Sequence, residues 1–468
     1  MLNPAIFKAY DIRGIVPDEL DGEGAYKIGR AYAQFLRSSS KQEVVSSKGL
    51  TVIVQADARP TSPALKAKLI QGLLEEDIKI IDGGLATSPL IHFAINDVQA
   101  DGGVMVTASH IPPPYNGLKL FTKGAVNIGF GSGMDKIRDL ALQFASSPEE
   151  KKQPIYHSMR PHKVVDGNFE DDYLKFILGK IDVSKIKFFK VVIDAGNGMA
   201  GLLLPKLIKE LPIEVTPLFF EIDMTFPNHE ANPLKEETLV ALQNKVKETG
   251  ADFGVAFDGD ADRIGFVDEL GRVVRGDFVG AYLAEEWFLK KEPGEKILYD
   301  IRSSRIVPEV IEAAGGTAIQ SRAGHTLIKQ LFRKEKAIFA EERSGHFYFR
   351  DFFYSESAFL VFLYLLATLS KTDEKMSTII NRYNKYFATP ELNFTVKDRS
   401  PERLREIAKN FSDAKDVSWL DGIFVIYDDW WFNLRPSNTE PLMRLFVEGK
   451  NPEIVNQKLE LLKRLLAE

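Results

Sequence analysis

The chain has 468 residues, and its 60 basic and 66 acidic side chains give a net charge of −6 at neutral pH. This balance provides no general attraction to nucleic acid or to an anionic membrane, so we expect neither as a partner. The absence of cysteine excludes disulfides, thiolate catalysis and thiolate-bound metal clusters. The length is that of about three domains, and four lie within the looseness of that estimate.

Two features of the sequence bear on location. Residues 1–14 contain no basic segment followed by an apolar one, so no signal peptide is predicted. The longest apolar run, residues 358–367, is too short to cross a bilayer and predicts a buried helix. We therefore expect a cytoplasmic protein.

The first 153 residues alternate between apolar strands and helical patterns. They predict strands over 51–55, 78–81 and just before Ser109, and helices over 25–36, 63–75 and 134–144. The polar stretch 146–154 is bounded by proline and predicts a linker.

The same alternation then restarts twice. The second round predicts strands over 190–193, 214–220 and 253–257, and helices over 171–178, 202–210 and 234–249. The third predicts strands over 297–299 and 337–340, and helices over 278–289 and 307–314. This order is typical of α/β layers with a mixed or parallel sheet.

An internal repeat accompanies this order. Three times a strand ends in an aspartate-bearing loop that opens a helix, at Asp57, Asp194 and Asp300. Three times a later strand ends in a polar loop, at Ser109, Asp258 and Glu342. Because ligands on such sheets gather outside the strand ends, three similar domains are expected to direct three loops into one cleft.

Beyond residue 387 the pattern changes to that of a smaller α+β domain. It predicts strands over 392–396, 422–427 and 442–448, and helices over 401–410 and 452–467. The predicted fold is therefore α/β, with three similar α/β domains with mixed sheets and a smaller C-terminal α+β domain around one central cleft. The predicted domains are residues 1–153, 154–272, 273–387 and 388–468.

The stretch around Ser109 carries the first chemical signal. An apolar strand stops at Ser109 and His110, and three prolines follow at 112–114. Prolines fix φ and restrict the residue before them, so we expect Ser109 on a stiff loop with its hydroxyl exposed. Such a serine suits nucleophilic or phosphoryl chemistry, and a rigid turn with a solvated serine is the alternative.

The strongest local signal is Asp258-Gly259-Asp260-Ala261-Asp262-Arg263, directly after an apolar strand. Three carboxylates at alternate positions repel one another unless a cation is present, and hard oxygen ligands favour Mg²⁺. An EF-hand is disfavoured because Arg263 stands where that loop needs glycine. An aspartyl-phosphate phosphatase also begins with Asp-x-Asp, but that interpretation leaves the Ser109 loop unexplained.

Two further loops are weaker signals. Residues 341–346 mix hydrogen-bond donors and acceptors, as hydroxyl-rich ligands such as sugars require. Residues 435–439 supply a guanidinium, two hydroxyls, an amide and backbone N–H groups in a turn, which suits an oxyanion. A solvated polar turn is the alternative for each loop taken alone.

Together these motifs resemble the α-D-phosphohexomutase superfamily, in its phosphomannomutase/phosphoglucomutase group, over the whole chain. The resemblance implies that Ser109 is the phosphorylated residue and, with Asp258, Asp260 and Asp262, holds the metal. It implies that Lys119, Arg13, His110 and His325 also act in catalysis, with Lys119 as the candidate general base. The substrate-binding residues that it implies are Tyr10, Arg263, Arg302, Glu342, Ser344, His346, Arg435, Ser437, Asn438 and Thr439.

The implied activity interconverts hexose 1-phosphate and hexose 6-phosphate, of mannose or glucose, through a phosphoserine and a bisphosphate intermediate. The implied cofactors are one Mg²⁺ per chain and hexose 1,6-bisphosphate as activator, and the protein is expected to be a monomer or a dimer. The alternatives are a phosphoglucosamine mutase, a metal-dependent sugar phosphatase and a sugar-phosphate-binding protein without catalysis. The chain departs from the family pattern at Ile111, Glu341, Arg343 and Arg302, which bears on substrate preference and rate.

Overall fold

The protein is described from a computed structural model, which describes residues 2–39, 49–144, 163–437 and 442–467. The chain forms two compact units. Unit 1 comprises Met1–Val273 and Ser344–Asp373, and unit 2 comprises Val274–Arg343 and Glu374–Glu468. The predicted linker at 146–154 lies outside the described residues.

The strands are numbered in chain order. They are β1 Ile12–Ile15, β2 Thr51–Ala56, β3 Lys79–Leu85, β4 Gly102–Val106, β5 Tyr115–Thr122, β6 Val126–Asn127, β7 Val164–Asp166, β8 Phe189–Asp194, β9 Ile213–Leu218, β10 Phe253–Phe257, β11 Ile264–Asp268, β12 Val273–Val274, β13 Lys296–Asp300, β14 Thr317–Ser321, β15 Phe339–Glu341, β16 Phe347–Phe349, β17 Ser355–Glu356, β18 Phe387–Ala388, β19 Leu392–Phe394, β20 Asp416–Ser418, β21 Ile423–Ile426, β22 Trp430–Pro436 and β23 Met443–Gly449.

The α-helices are numbered in the same way. They are α1 Gly22–Ser39, α2 Ser62–Glu75, α3 Ser88–Asp97, α4 Met134–Ala141, α5 Glu170–Leu178, α6 Ala200–Leu207, α7 Val240–Thr249, α8 Gly276–Leu283, α9 Ile306–Ala313, α10 His325–Glu335, α11 Ala358–Leu369, α12 Met376–Asn381, α13 Pro401–Ala408 and α14 Pro452–Ala467. A π-helical segment, Ala284–Leu289, continues α8. Among the described helices, none combines the length and the apolar character needed to span a bilayer.

Unit 1 contains two mixed sheets with the same central strand order. The first runs β1-β5-β4-β2-β3-β7, with β6 beside β5, and the second runs β12-β11-β10-β8-β9. In each, the central pair is parallel, β2 with β4 and β8 with β10, and the next strand is antiparallel. Unit 2 contains the parallel order β14-β13-β15 and an antiparallel sheet β18-β23-β22-β21-β20, with β19 beside β23. The predicted repeat and the smaller C-terminal domain are confirmed.

The repeat extends to the turns after β2, β8 and β13. Each strand leads into an aspartate whose Oδ1 accepts the backbone N–H two residues further on. The three bonds are Arg59 N to Asp57 at 3.1 Å, Gly196 N to Asp194 at 2.7 Å, and Arg302 N to Asp300 at 2.9 Å. A short carboxylate side chain satisfies the backbone locally in this way, so the same turn is built three times.

Helix α11 lies in the core of unit 1. Its N-cap is Ser357, whose side chain accepts from the Leu360 N–H. Phe359 packs against Phe257, with ring centroids 5.2 Å apart, and Phe362 lies 6.5 Å from Phe253. The buried helix predicted over 358–367 is thereby confirmed.

Two predicted elements need correction. The helix predicted over 234–249 begins only at Val240, after a 3₁₀ turn at Glu236–Leu239. There the Thr238 hydroxyl donates to the carbonyls of Asn232 and Lys235, which closes a turn instead of a helix. Arg435 was expected in a turn but lies in β22, opposite Arg444 of β23. The aromatic run Trp430–Phe432 forms a buried strand that the prediction missed.

Candidate active site

Ser109 follows β4, as expected, but it is buried, with 5 % of its surface exposed. Its φ is +55°, a left-handed conformation that is uncommon for residues other than glycine. The Thr107 hydroxyl accepts the Ser109 N–H at 2.9 Å, and Gly259 approaches so closely that a Cβ there would lie 2.4 Å from the Ser109 carbonyl oxygen. The exposed hydroxyl predicted from the prolines is wrong, because the Asp258 loop of the next sheet covers it.

The three aspartates form what we call the aspartate centre, Asp258, Asp260 and Asp262. They lie in the loop between β10 and β11, whose end residues Phe257 and Ile264 pair across the hairpin. Asp258 Oδ1 accepts the backbone N–H groups of Asp262 and Arg263 at 3.0 and 3.1 Å, which curls the loop. The Ser109 hydroxyl donates to Asp258 Oδ2 at 3.1 Å, so serine and aspartates share one site within unit 1.

The aspartate centre has the properties of a cation site. One oxygen from each of the three buried carboxylates lies within 4.8 Å of the others. Asp260 Oδ1 is buried and, among the described residues, has no hydrogen-bond partner. Burial and repulsion from Asp262 raise the pKa of Asp258 to about 8. Three crowded carboxylates that leave the buried Asp260 Oδ1 unsatisfied fit a divalent cation such as Mg²⁺.

Lys119 neutralises part of the negative charge of the aspartate centre. Its Nζ lies 2.6 Å from Asp260 Oδ2 and 2.7 Å from Asp262 Oδ2, and it donates to the Ser88 hydroxyl at 3.0 Å. Burial alone would lower the pKa of Lys119, but the two carboxylates outweigh it and raise the pKa above its ordinary value. In this arrangement Lys119 is an ammonium, whereas a general base needs the neutral amine.

Three more predicted residues surround the Ser109 hydroxyl. His110 Nδ1 lies 3.3 Å from Ser109 Oγ and accepts from Arg263, whose Nη2 lies 3.4 Å from the same oxygen. Burial, with the charges of Arg263 and Arg13, lowers the pKa of His110 well below its ordinary value, so the ring is neutral. Arg263 Nε also donates to Asp258 Oδ2 at 2.9 Å, and Arg13 is paired with Asp11 at 2.5 Å.

Ser344 and His346 also belong to unit 1. His346 forms an antiparallel backbone bridge with Arg263, and the Ile264 N–H donates to the Gly345 carbonyl at 3.1 Å. The His346 Nε2 lies 3.3 Å from Asp262 Oδ1, and its Nδ1 lies 2.9 Å from the Ser344 hydroxyl. Although burial opposes it, Lys119 and His346 hold the pKa of Asp262 well below its usual range. These residues therefore adjoin the aspartate centre.

Unit 2 contains a second polar cluster, the arginine centre, formed by Arg302, Arg435 and Arg444. All three face Glu391: Arg435 donates to it at 2.8 Å, and the nearest nitrogens of Arg302 and Arg444 lie 3.8 Å away. Arg302 also contacts Asp300 and donates to Glu342 at 3.1 Å. Burial opposes it, but Arg302 and Arg435 lower the pKa of Glu391. Guanidinium groups in this number suit an anionic ligand.

The remaining predicted residues are placed as follows. Ser437 is largely buried just after β22, and its N–H donates to the Leu442 carbonyl at 2.8 Å. His325 is the half-buried first residue of α10, and Tyr10 is half-buried in the bend before β1. Asn438 and Thr439 lie outside the described residues.

Two departures from the family motif fall beside the arginine centre. Arg343 donates to the Arg302 carbonyl at 3.1 Å and lies 4.1 Å from the centroid of the Phe446 ring. Burial lowers the pKa of Arg343 to about 10. Glu341 is buried, and burial together with the nearby Asp277 carboxylate raises its pKa well above the ordinary value.

Sequence reasoning missed three side chains with many contacts at these centres. Ser88, at the start of α3, contacts Asp260 with its hydroxyl and donates its N–H to the Asp260 carbonyl at 2.9 Å. Arg59 binds the Ser109 loop, and Glu391 binds the arginines. The repeated turn at Asp57 lies two residues before Arg59 and is a local signal for it. Ser88 and Glu391 have partners far away in the sequence, so no local pattern indicates them.

Comparison with known proteins gives four family matches in chain order. They are phosphoglucomutase/phosphomannomutase alpha/beta/alpha domain I over residues 4–143, domain II over 171–271, domain III over 275–386, and the C-terminal domain over 391–462. The resemblance inferred from the motifs is confirmed.

Individual relatives agree. A phosphomannomutase of Vibrio cholerae is 39 % identical over 473 residues, covering 98 % of each chain. A phosphomannomutase/phosphoglucomutase of Pseudomonas putida is 36 % identical, covering 96 % of this chain and 92 % of that one. The crystal structure of a phosphoglucomutase/phosphomannomutase family protein from Burkholderia thailandensis superposes with a TM-score of 0.88 at 31 % identity, covering 100 % of this chain and 98 % of that one.

Proposed function

Because the chain belongs to the phosphoglucomutase/phosphomannomutase family, we propose that it transfers a phosphoryl group between the C1 and C6 hydroxyls of mannose or glucose through phosphorylated Ser109. The family makes it an enzyme, an intramolecular phosphotransferase. The observation that carries the proposal is the contact of the Ser109 hydroxyl with Asp258 and Arg263. A serine oxygen beside a cation site and a guanidinium is suited to phosphoryl transfer.

The proposed site assigns a role to each group. Ser109 Oγ would carry the phosphoryl group, and Asp258, Asp260 and Asp262 with that serine would hold one Mg²⁺. Bound Mg²⁺ supplies charge neutralisation on the phosphoryl oxygens. Arg263, whose Nη2 lies 3.4 Å from Ser109 Oγ, would donate to the same oxygens, and neutral His110 accepts from Arg263 and so holds its guanidinium beside Ser109.

Proton handling is proposed for Lys119, with Arg13 and His325 assisting. As an ammonium, Lys119 can give a proton to Ser109 Oγ or to a sugar oxygen. It can accept one only when its ion pairs with Asp260 and Asp262 weaken, because those pairs raise its pKa. The same carboxylates would coordinate the metal, so metal binding and Lys119 protonation compete.

Substrate binding is proposed for the other motif residues. Glu342, Ser344 and His346 would bind sugar hydroxyls, and Tyr10 and Arg302 would contact the substrate. Arg435, Ser437, Asn438 and Thr439 would bind the phosphate that is not reacting. The same proposal includes four domains, residues 1–153, 154–272, 273–387 and 388–468. It also includes hexose 1,6-bisphosphate as the activator, a cytoplasmic location and a monomeric or dimeric state.

The decisive experiment combines intact mass with a substrate assay. Purified protein treated with hexose 1,6-bisphosphate should gain the mass of one phosphoryl group, and Ser109→Ala should neither gain it nor turn over substrate. Ser184→Ala, at an exposed serine that donates to Asp182, is the matched control and should behave as the wild type. Turnover by Ser109→Ala at the wild-type rate would overturn the proposal.

The substrate is decided by three parallel assays with mannose 1-phosphate, glucose 1-phosphate and glucosamine 1-phosphate, each with a trace of its bisphosphate. We expect the 6-phosphates of mannose and glucose without inorganic phosphate. Preferential turnover of glucosamine 1-phosphate would indicate the phosphoglucosamine alternative. Stoichiometric release of inorganic phosphate would indicate a phosphatase.

A further inference from the structure

Arg59 makes an unusual set of contacts for a side chain outside the motifs. Only 2 % of its surface is exposed. Its Nη2 donates to the carbonyls of Ser109, at 2.8 Å, and of Ile111, and its Nη1 donates to the carbonyl of Tyr115 at 3.0 Å. One guanidinium therefore hydrogen-bonds to main-chain carbonyls at the beginning, in the middle and at the end of the proline-rich loop, residues 109–115.

The anchor of this guanidinium is equally well defined. Asp57, in the first of the three repeated turns, receives Arg59 Nε at 3.2 Å and the Ser62 hydroxyl. The Phe226 ring covers the guanidinium, with the ring centroid 5.5 Å away. Asp57 thus neutralises the buried charge and fixes the orientation of the planar fork.

Ser109 needs such support. Its left-handed backbone is unfavourable for a serine, and the carbonyl that Arg59 holds is the one that Gly259 approaches. Rotation of this carbonyl would change the ψ of Ser109 and the path of the loop into His110, and so disturb the contacts of the Ser109 hydroxyl with Asp258 and His110. A guanidinium has hydrogen-bond donors and no acceptor. It therefore bonds to the loop only while the Ser109 carbonyl oxygen faces it, and so specifies this carbonyl orientation.

We infer that Arg59 is a positioning residue for phosphoryl transfer, which fixes the main chain of Ser109 so that its oxygen stays directed at the aspartate centre. This inference rests on the proposed role of Ser109 as phosphoryl carrier. Arg59 acts through the loop backbone and is not itself a catalytic residue. The phosphoserine ester should be transferred rapidly and hydrolysed slowly only while this orientation is held.

The test compares Arg59→Lys with the wild type. Lysine keeps the charge but has no planar fork, so it can satisfy only part of the three carbonyls. We expect kcat to fall about 100-fold with KM changed less than threefold, since a displacement near 1 Å costs about that factor. The half-life of the phosphoserine, followed by intact mass after the bisphosphate is removed, should shorten about tenfold.

Arg59→Ala adds a chemical rescue. Guanidinium ion at millimolar concentration should restore part of kcat, and methylammonium should not, because only guanidinium reproduces the fork. Should either variant fail to fold, Asp57→Asn keeps the guanidinium but loosens its anchor. It is expected to lower kcat severalfold and to shorten the phosphoserine half-life in proportion.

The control is Arg275→Lys, which alters a half-buried arginine that likewise pairs with an aspartate two residues away, Asp277 in unit 2. It should lower thermal stability like Arg59→Lys but leave the phosphoserine half-life unchanged. An Arg59→Lys protein with wild-type kcat and phosphoserine half-life would overturn the inference. If the wild type never carries a phosphoryl group on Ser109, the proposed function fails first, and the role of Arg59 fails with it.

Discussion

The aspartate centre of unit 1 and the arginine centre of unit 2 are opposite in charge and alike in construction. In the first, an ammonium group, Lys119, lies between two of three carboxylates. In the second, a carboxylate, Glu391, lies among three guanidinium groups. Each centre thus contains a side chain with the charge of the ion that the centre would bind. The comparison teaches that repulsion within a buried cluster of like charges can be offset by one side chain of the opposite charge.

The largest effect is expected from removing one acid of the aspartate centre. Asp260→Asn takes away a proposed ligand and a partner of Lys119, so activity at saturating Mg²⁺ should fall about 10²- to 10³-fold. Steady-state assays over a range of Mg²⁺ concentrations measure it. Asp223→Asn, at an exposed aspartate whose carboxylate accepts from the Thr225 N–H, is the control. Equal activity of the two variants would contradict the cation site.

The next effect concerns the arginine centre. Arg435→Lys replaces a planar fork with a point charge and weakens the contact with a phosphate. KM for hexose phosphate should rise about 10- to 100-fold, whereas the phosphoserine formed on Ser109 should be as long-lived as in the wild type. Arg403→Lys is the matched control. The Arg403 guanidinium also lies in unit 2, where it donates to the Leu465 carbonyl. A loss in kcat alone would remove Arg435 from substrate binding.

The two centres should also differ in pH dependence. Without metal, Asp258 is protonated below its raised pKa of about 8, so a divalent cation must displace a proton there. Metal affinity should therefore rise about tenfold per pH unit between pH 6 and 7.5 and level off above pH 8. Calorimetric titration of metal into metal-free protein in buffers of different ionisation enthalpy counts the released protons. The phosphate affinity of the arginine centre should show no such slope, because Glu391, with a lowered pKa, stays ionised throughout this range.

The smallest effect has the opposite sign. Glu391→Gln removes the anion that competes with a phosphate for Arg302 and Arg435, at nearly constant shape. KM for hexose phosphate should fall about three- to tenfold, and inorganic phosphate should become a stronger inhibitor by a similar factor. Inhibition constants at fixed ionic strength measure this. A higher KM would mean that Glu391 orients the arginines for the substrate and does not compete with it.

The sequence predicted the aspartate centre better than the arginine centre, for a physical reason. Asp258, Asp260 and Asp262 lie within one loop, so their mutual repulsion can be inferred from spacing alone. Arg302, Glu391 and Arg435 are brought together by β13, β19 and β22. No local pattern connects them, and the expected turn at Arg435 proved to be strand because the buried strand Trp430–Pro436 was not recognised.

The burial of Ser109 also could not be predicted from the sequence. The prolines predicted a stiff loop correctly, but the covering residue, Gly259, lies 150 positions later, in the loop between β10 and β11. The repeated aspartate turn shows the opposite case. Asp57, Asp194 and Asp300 were recognised as equivalent, and each makes the same local bond, because that bond needs only the next two residues.

The order of the chain has a consequence for synthesis. Unit 1 is discontinuous: its last segment, Ser344–Asp373, emerges from the ribosome only after seventy residues of unit 2. That segment brings His346 to Asp262 and the rings of α11 to Phe253 and Phe257. A nascent chain that ends at Val273 therefore holds all three aspartates but exposes the apolar face meant for α11. Because exposed apolar surface promotes association, a gene truncated there should yield aggregate instead of an isolated domain.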